Sequence, residues 1–220
     1  FEAIALDDDL HIEPGCALQI ALLPDSDDAL RFEIHSIQGG EERVHAQGRA
    51  CFGDAEATTQ VDVERFASQL AGGLAAEAFQ ARIATLGLGD RVEPAATRRI
   101  ARTAREAVLE YAVADTMATG GWGLSPDLLA SLIDGTAWLS AELGPLPTPP
   151  FGWQVHAIDA VRFHASCAPQ GYLVLRCADP ASIDGSPSRW DAIVCDLQGH
   201  PAIEIQGLRL AHVPGGQGVV

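Results

Sequence analysis

The sequence predicts an α+β fold in which one long central helix is wrapped by an antiparallel β-sheet. Residues 126–142 have helical spacing and are apolar almost all round, which is typical of a buried helix. Four segments with strand patterning follow, at residues 153–164, 171–177, 190–197 and 201–213. We expect these strands to curl around the helix and bury it.

Composition and charge exclude several classes of protein. The 220 residues, 47% of them hydrophobic and 20% charged, suffice for one large or two small folded domains. The sequence contains 30 acidic residues and 14 basic residues, and all the basic residues are arginine. The net charge of −16 argues against nucleic-acid binding, which requires a basic face. No apolar run is long enough to span a membrane, so no membrane association is expected.

The cysteines and histidines show no metal or disulfide pattern. The five cysteines are odd in number and contain no Cys-x-x-Cys pair, and no histidine has a second ligand at metal-binding spacing. A reducing, cytoplasmic location is therefore expected. The chain begins at Phe1 without a methionine or a signal-peptide pattern, which indicates a piece of a longer protein. Abundant alanine and arginine without lysine indicate a high-GC bacterial source.

The first 58 residues have the pattern of an antiparallel meander. Strand patterning occurs at residues 18–22, 31–37 and 43–50, and Gly39-Gly40 supplies a hairpin turn. A turn is also expected at residues 24–28. Three strands with no helix of their own cannot bury an apolar face, so another element must pack on them.

The middle of the chain mixes helical and strand patterns. Apolar residues recur with a period near 3.6 over residues 61–86, and Gly72-Gly73 interrupts this helical run. Residues 97–113 fit either structure, because arginines stand at helical spacing in the first half whereas apolar and polar residues alternate in the second.

The long helix has a clear start and one charge in its central part. Ser125 is a candidate N-cap, and Pro126 stands at the first helical position. Asp134 is the one charged residue of the central turns. Because burying a carboxylate is costly, Asp134 is the leading candidate functional residue. The alternative is a capped or partly exposed Asp beside Gly135, at an irregularity of the helix.

Six short motifs occur along the chain in the order and with the spacing of one family. They are residues 45–48 (His-Ala-Gln-Gly), 79–83 (Phe-Gln-Ala-Arg-Ile), 125–135 (Ser-Pro through Asp-Gly), 161–164 (Val-Arg-Phe-His), 196–201 (Asp-Leu-Gln-Gly-His-Pro) and 206–210 (Gln-Gly-Leu-Arg-Leu). This set resembles the dehydratase and dehydratase-like domains of modular polyketide synthases, which are double hot-dog domains.

The resemblance implies a division of the chain. Residues 1–58 would be strands that complete a first hot-dog half, residues 59–213 a second hot-dog, and residues 214–220 a tail or linker. It also favours a strand pair over a helix for residues 97–113.

The resemblance further implies chemistry on acyl thioesters that an acyl carrier protein presents on its phosphopantetheine arm, with no other cofactor bound. In this family a His removes the α-proton of a β-hydroxyacyl thioester, and a carboxyl group protonates the leaving hydroxyl. We expect the family's His motif to lie upstream of this chain, since His35 matches only the first half of that motif, within a hairpin pattern. On the helix, the family's His-Pro is Ser125-Pro126 and its carboxylate position is Ala130. Asp134 lies one turn later on nearly the same face.

Three functions stay open after these departures. Loss of several motifs together favours a non-canonical domain that acts on or holds carrier-bound thioesters, for chain branching, isomerisation, cyclisation or gating. An ordinary β-hydroxyacyl dehydratase whose His lies upstream of this chain is the second, and a non-catalytic scaffold domain is the third. Asp134 would be a proton donor or an orienter of the acyl chain.

Arg98, Arg99, Arg102 and Arg105 form the one basic cluster of an acidic sequence. They are candidate docking residues for the phosphopantetheine arm or the acidic surface of the carrier protein. The alternative is a solvated face that balances nearby glutamates. A neighbouring ketosynthase or other domains of the same synthase are further expected partners, and a homodimer formed through the synthase is left open.

Overall fold

The computed structural model describes residues 1–6, 17–38, 41–53, 58–86, 96–113, 123–143, 151–179 and 189–214. The strands in these ranges are β1 (Glu2–Leu6), β2 (Leu18–Ser26), β3 (Ala29–Gln38), β4 (Glu41–Cys51), β5 (Leu74–Ala75), β6 (Thr97–Arg102), β7 (Glu106–Ala112), β8 (Phe151–Phe163), β9 (Gln170–Asp179), β10 (Arg189–Asp196) and β11 (Pro201–Pro214). The helices are α1 (Val63–Ala71), α2 (Ala76–Thr85) and α3 (Pro126–Leu143).

These strands form one antiparallel sheet in the order β2-β3-β4-β1-β8-β11-β10-β9-β7-β6-β5. Strand β1 joins its two parts, because it pairs with β4 on one side and with β8 on the other. The ring of Phe1 packs edge-on against Phe32 of β3 and Phe163 of β8, with ring centroids 5.9 Å apart in both pairs. We call β1–β4 the N-terminal strands and residues 58–214 the wrapped half.

Helix α3 packs on one face of the wrapped half, which we call the inner face, against β6, β7, β8 and β9. Its start follows the sequence signals, since the Ser125 hydroxyl accepts a hydrogen bond from the N–H of Leu128 at 3.2 Å. Leu128 and Leu132 are fully buried. Gly135 faces the sheet so closely that a Cβ there would lie 2.6 Å from a methyl carbon of Leu175. The predicted central helix and the sheet around it are confirmed.

The two shorter helices pack on opposite faces of the wrapped half. Phe66 and Leu70 of α1 pack with Val108 and Val174 on the outer face, the face opposite α3. Helix α2 instead contributes Phe79 and other apolar residues to the inner core that contains α3. The predicted break between these helices is confirmed, and a Cβ on Gly73 would lie 2.4 Å from the carbonyl oxygen of Ile100.

Residues 97–113 form the strand pair β6–β7, as the resemblance favoured and against their helical periodicity. The turn predicted at residues 24–28 is wrong in its first part, because β2 continues through Pro24 to Ser26. Strand β2 is an edge of the sheet, where a proline is tolerated. The division at residues 58 and 213 stays a prediction; β11 includes Pro214, and residues 215–220 lie outside the described residues.

Candidate functional site

Asp134 lies in the middle of α3 with 1% of its surface exposed. Helix α3 runs unbroken through Gly135, so a partly exposed Asp at a helix irregularity is excluded. Residues three and four apart on a helix are neighbours on its surface, and Ser131 and Trp138 therefore lie beside Asp134. Both are buried, at 0% and 5% exposure. We call Ser131, Asp134 and Trp138 the Asp134 flank.

Ser131 is a polar residue of this flank that the sequence analysis missed. Its Oγ is buried and has no hydrogen-bond partner among the described residues. Two other hydroxyls of α3 behave differently, since Thr136 and Ser140 donate to the carbonyls of Leu132 and Thr136 at 2.8 Å. The signal that could have found Ser131 is its position one turn before the one central charge of an apolar helix.

Trp138 closes the flank toward the edge of the sheet. Its ring packs against Phe79 of α2 with a centroid distance of 5.5 Å, and the guanidinium of Arg102 lies 5.0 Å from its centroid. A cavity of about 550 Å³ adjoins the ring and is lined by Trp138, Arg102 and Arg82, among others. The Asp134 flank therefore adjoins, at Trp138, a cavity whose lining includes two arginines.

The structure does not bring the four predicted docking arginines together on one face. All four are exposed. Arg99 lies opposite Glu110 and alternates with the buried Ile100, so it points to the outer face, whereas Arg102 reaches Trp138 on the inner side. Arg98 lies at a register shift of β6, and Arg105 lies in the turn before β7. Arg102 is the one of these four that lines the cavity beside Trp138.

Two buried histidines belong to the N-terminal strands. His45 is 3% exposed, and its Nε2 lies 2.7 Å from the hydroxyl oxygen of Ser36. His35 is 8% exposed, and its Nε2 lies 3.3 Å from the side-chain oxygen of Gln19. His35 stands in the hairpin that the sequence predicted, where β3 pairs with β4. The Nδ1 of each histidine is buried with no hydrogen-bond partner among the described residues, so each ring has one nitrogen in a polar contact within the sheet and one without a partner.

The cysteines offer no activated nucleophile in the described part of the chain. Burial raises the pKa of Cys167 to about 11 and that of Cys195 to about 12, so both are thiols at neutral pH. Cys51 is exposed.

Two further observations concern the described ranges only. No three side chains of His, Cys, Asp or Glu converge there in a way that would hold a metal ion. None of the helices in those ranges combines the length and the apolar content that crossing a membrane requires.

Comparison with known proteins gives a match at the level of structure. No family model matches the chain, and no curated protein matches it by sequence. The dehydratase domain from the CurJ module of Curacin polyketide synthase superposes with a TM-score of 0.78 and 15% identity, covering 97% of this chain and 74% of that chain. This chain has the fold of a polyketide synthase dehydratase domain.

Other dehydratase domains of known structure superpose on this chain with similar TM-scores. The CurK dehydratase, in a form named as an inactive Asp-to-Asn mutant, has a TM-score of 0.74 and 16% identity, covering 97% of this chain and 76% of that chain. The dehydratase domain of RzxB from Pseudomonas fluorescens has a TM-score of 0.75 and 20% identity, covering 96% and 74%. The hot-dog fold expected from the motifs is confirmed.

Proposed function

We propose that this chain is a non-canonical dehydratase-like domain of a modular polyketide synthase. It acts on or holds acyl thioesters carried by the phosphopantetheine arm of an acyl carrier protein, in the cytoplasm. The observation that carries the proposal is the position of Asp134, a carboxyl group 1% exposed on the central helix of a dehydratase fold. Solved forms of the CurK dehydratase are named inactive when an Asp is replaced by Asn and when a His is replaced by Phe.

Asp134 supplies the acid part of dehydratase chemistry. In its protonated form the carboxyl group donates a hydrogen bond, or the proton itself, to an oxygen on the β-carbon of a bound acyl chain. Ser131 adds a hydroxyl one turn away, in surroundings that exclude water and so strengthen such contacts. These two groups suit binding and orienting an oxygenated chain.

The base part of that chemistry has no motif-supported residue in the described part of the chain. The resemblance places the catalytic His in a motif of the first hot-dog, and His35, which matches the first half of that motif, lies in the β3–β4 hairpin. Abstraction of a proton α to a thioester needs a positioned base, whose contribution is typically about 10²–10⁴ in rate. We therefore assign the domain to chain branching, isomerisation, cyclisation or gating rather than to dehydration.

An ordinary dehydratase is the second candidate, and one observation favours it. The chain covers only 74–76% of the dehydratase structures it matches, so about a quarter of their length has no counterpart in this chain. A catalytic His contributed by sequence upstream of this chain would restore the usual pair of acid and base.

A dehydration assay separates the two candidates. Carrier-bound β-hydroxyacyl substrate is incubated with this chain alone and with the intact module, and loss of water is followed by mass spectrometry. We expect no loss of water with either protein. Loss of water with the intact module but not with the isolated chain would establish the ordinary dehydratase. Loss of water with the isolated chain would show that the chain contains a base.

Carrier docking is proposed at the arginines of β6. The phosphopantetheine arm and the acidic surface of a carrier protein are complementary to exposed guanidinium groups. Charge reversal at Arg98 and Arg102 should weaken association with the carrier protein, more at low ionic strength than at high. Charge reversal at Arg162, an exposed arginine of β8, is the control. Unchanged affinity of the Arg98 and Arg102 variants at low salt would remove this docking site.

A further inference from the structure

The outer face of the sheet carries a second polar site. A cavity of about 440 Å³ lies between residues 58–62, α1 and the outer face of the central strands. Glu204 lines it from β11, where its neighbours Ile203 and Ile205 point into the inner core. Because side chains alternate along a strand, the sheet separates this cavity from the Asp134 flank.

One wall of the cavity contains two arginines that are held in place by hydrogen bonds to the same carboxylate. Nη2 of Arg65 donates to both carboxylate oxygens of Glu106, at 2.6 and 2.8 Å, and Nε of Arg176 donates to Oε2 at 2.8 Å. Burial acts to raise the pKa of Glu106, but the hydrogen bonds from Arg176 and Arg65 outweigh it and hold the pKa below its ordinary value. One ionised carboxylate thus fixes two guanidinium groups and neutralises one of their charges.

Both arginines line the cavity. A guanidinium carries five N–H donors in a planar fork, so each arginine keeps donors beyond those that bind Glu106. Asp62 also lines the cavity, but its carboxylate caps α1 by accepting from the backbone N–H of Arg65. This wall therefore presents positioned N–H donors to a ligand, which is the arrangement that binds a carboxylate.

The other wall pairs His164 with Glu204. The His164 side chain is 10% exposed, and its Nε2 is buried with no hydrogen-bond partner among the described residues. Oε2 of Glu204 lies 3.7 Å from that nitrogen, beyond hydrogen-bond range. A buried polar atom without a partner is rare in native proteins and indicates a missing donor or acceptor. A group placed between Glu204 and His164 would satisfy both.

We propose that this cavity binds a small zwitterion, a molecule with one carboxylate and one ammonium group. The carboxylate lies against Arg65 and Arg176, and the ammonium donates to Glu204 and to Nε2 of His164. The N–H donors of the first wall suit a carboxylate, and the acceptors Glu204 and Nε2 of His164 suit an ammonium group, so a zwitterion complements both walls. Phe66 and Ile193 line the space between them and would contact the aliphatic carbons. This site is independent of the proposed chemistry at Asp134.

Titration calorimetry on the intact chain tests the ligand class. The zwitterionic probes are glycine, β-alanine and 4-aminobutyrate, which separate the two charges by increasing lengths. Propionate and propylamine carry one charge each. We expect saturable binding of at least one zwitterion and none of the single-charge probes. Absence of zwitterion binding, or equal binding of propionate or propylamine, would overturn the proposal.

Variants of the wall formed by His164 and Glu204 test where the ligand binds. Glu204→Gln keeps the size of the side chain and removes its charge, and His164→Gln removes the imidazole. Both should weaken zwitterion binding at least about tenfold, since hydrogen bonds to charged groups contribute that much or more. The control is Glu110→Gln, on the outer face but outside the cavity lining. Unchanged affinity in both wall variants, with unchanged melting temperatures, would place the ligand elsewhere and contradict the proposal.

Discussion

The N-terminal strands and the wrapped half belong to one sheet and differ in what covers it. In the wrapped half, α2 and α3 cover the inner face, and Leu109, Leu173 and Leu175 are fully buried. In the N-terminal strands, Ile20 of β2 is 66% exposed and Leu22 is 59% exposed, although both alternate as a core face would. Strand alternation therefore predicts pairing in both regions, and among the described residues the large apolar side chains are fully buried where a helix packs on the strands.

The buried polar groups of the two regions differ in their neighbours. In the N-terminal strands, Nε2 of His45 lies 2.7 Å from the hydroxyl oxygen of Ser36, while its Nδ1 is buried with no hydrogen-bond partner among the described residues. In the wrapped half, the hydroxyl of Ser131 is buried with no such partner and lies one helical turn from the carboxyl group of Asp134. An unsatisfied hydroxyl beside a buried carboxyl group on the central helix favours the wrapped half as the place of the chemistry. We therefore expect stability and chemistry to concentrate in the wrapped half.

The largest expected effect is the loss of a core side chain from α3. Leu132→Ala should lower the free energy of unfolding by about 2–5 kcal/mol, because it removes buried apolar atoms and leaves a cavity. The matched change Ile20→Ala, in the N-terminal strands, should alter it by less than about 0.5 kcal/mol. Urea unfolding measures both. Equal losses would show that the two regions share one core.

A smaller effect is expected from the ion pairs. Glu106→Gln should cost about 1–2 kcal/mol at pH 7, because a carboxylate bound by two arginines is replaced by a neutral amide. Asp25→Asn, which breaks the exposed pair with Arg49 of the N-terminal strands, should cost nothing measurable.

The contribution of Glu106 to the free energy of unfolding depends on pH in a defined direction. Its folded pKa lies below the ordinary value of 4.5, so its contribution to stability is present above that pH and is lost as pH falls through the folded pKa. Thermal unfolding of wild type and Glu106→Gln at a series of pH values should give a difference that is constant near neutrality and vanishes in acid. A difference that grows below pH 4.5 would contradict the assignment.

Local signals were sufficient to predict α3. The helix was expected over residues 126–142 and occupies Pro126–Leu143, because Ser125 caps it and proline fits its first turn. The burial of Asp134 also followed from sequence, since the helix has almost no polar face. Residues 97–113 could not be assigned locally: their strand state depends on pairing with β9, some sixty residues later.

The arginines and the outer cavity show why the rest of the site escaped prediction. Helical spacing would place Arg98 and Arg102 on one face, but in a strand Arg99 and Arg102 point to opposite sides. The pairs of Glu106 with Arg65 and Arg176 join residues 41 and 70 positions apart. No short-range pattern encodes such contacts, and they become visible only when the sheet brings the strands together.

We propose that the function of the domain depends on the carboxyl group of Asp134. The direct measurement is the mass of the carrier-bound products of the intact synthase module, with wild-type domain, Asp134→Asn, and the control Asp127→Asn from the first turn of α3. We predict that Asp134→Asn slows or abolishes the step at least about tenfold, as loss of an acid group does, while the melting temperature and the control stay near wild type. Wild-type products at wild-type rate from Asp134→Asn would contradict the claim.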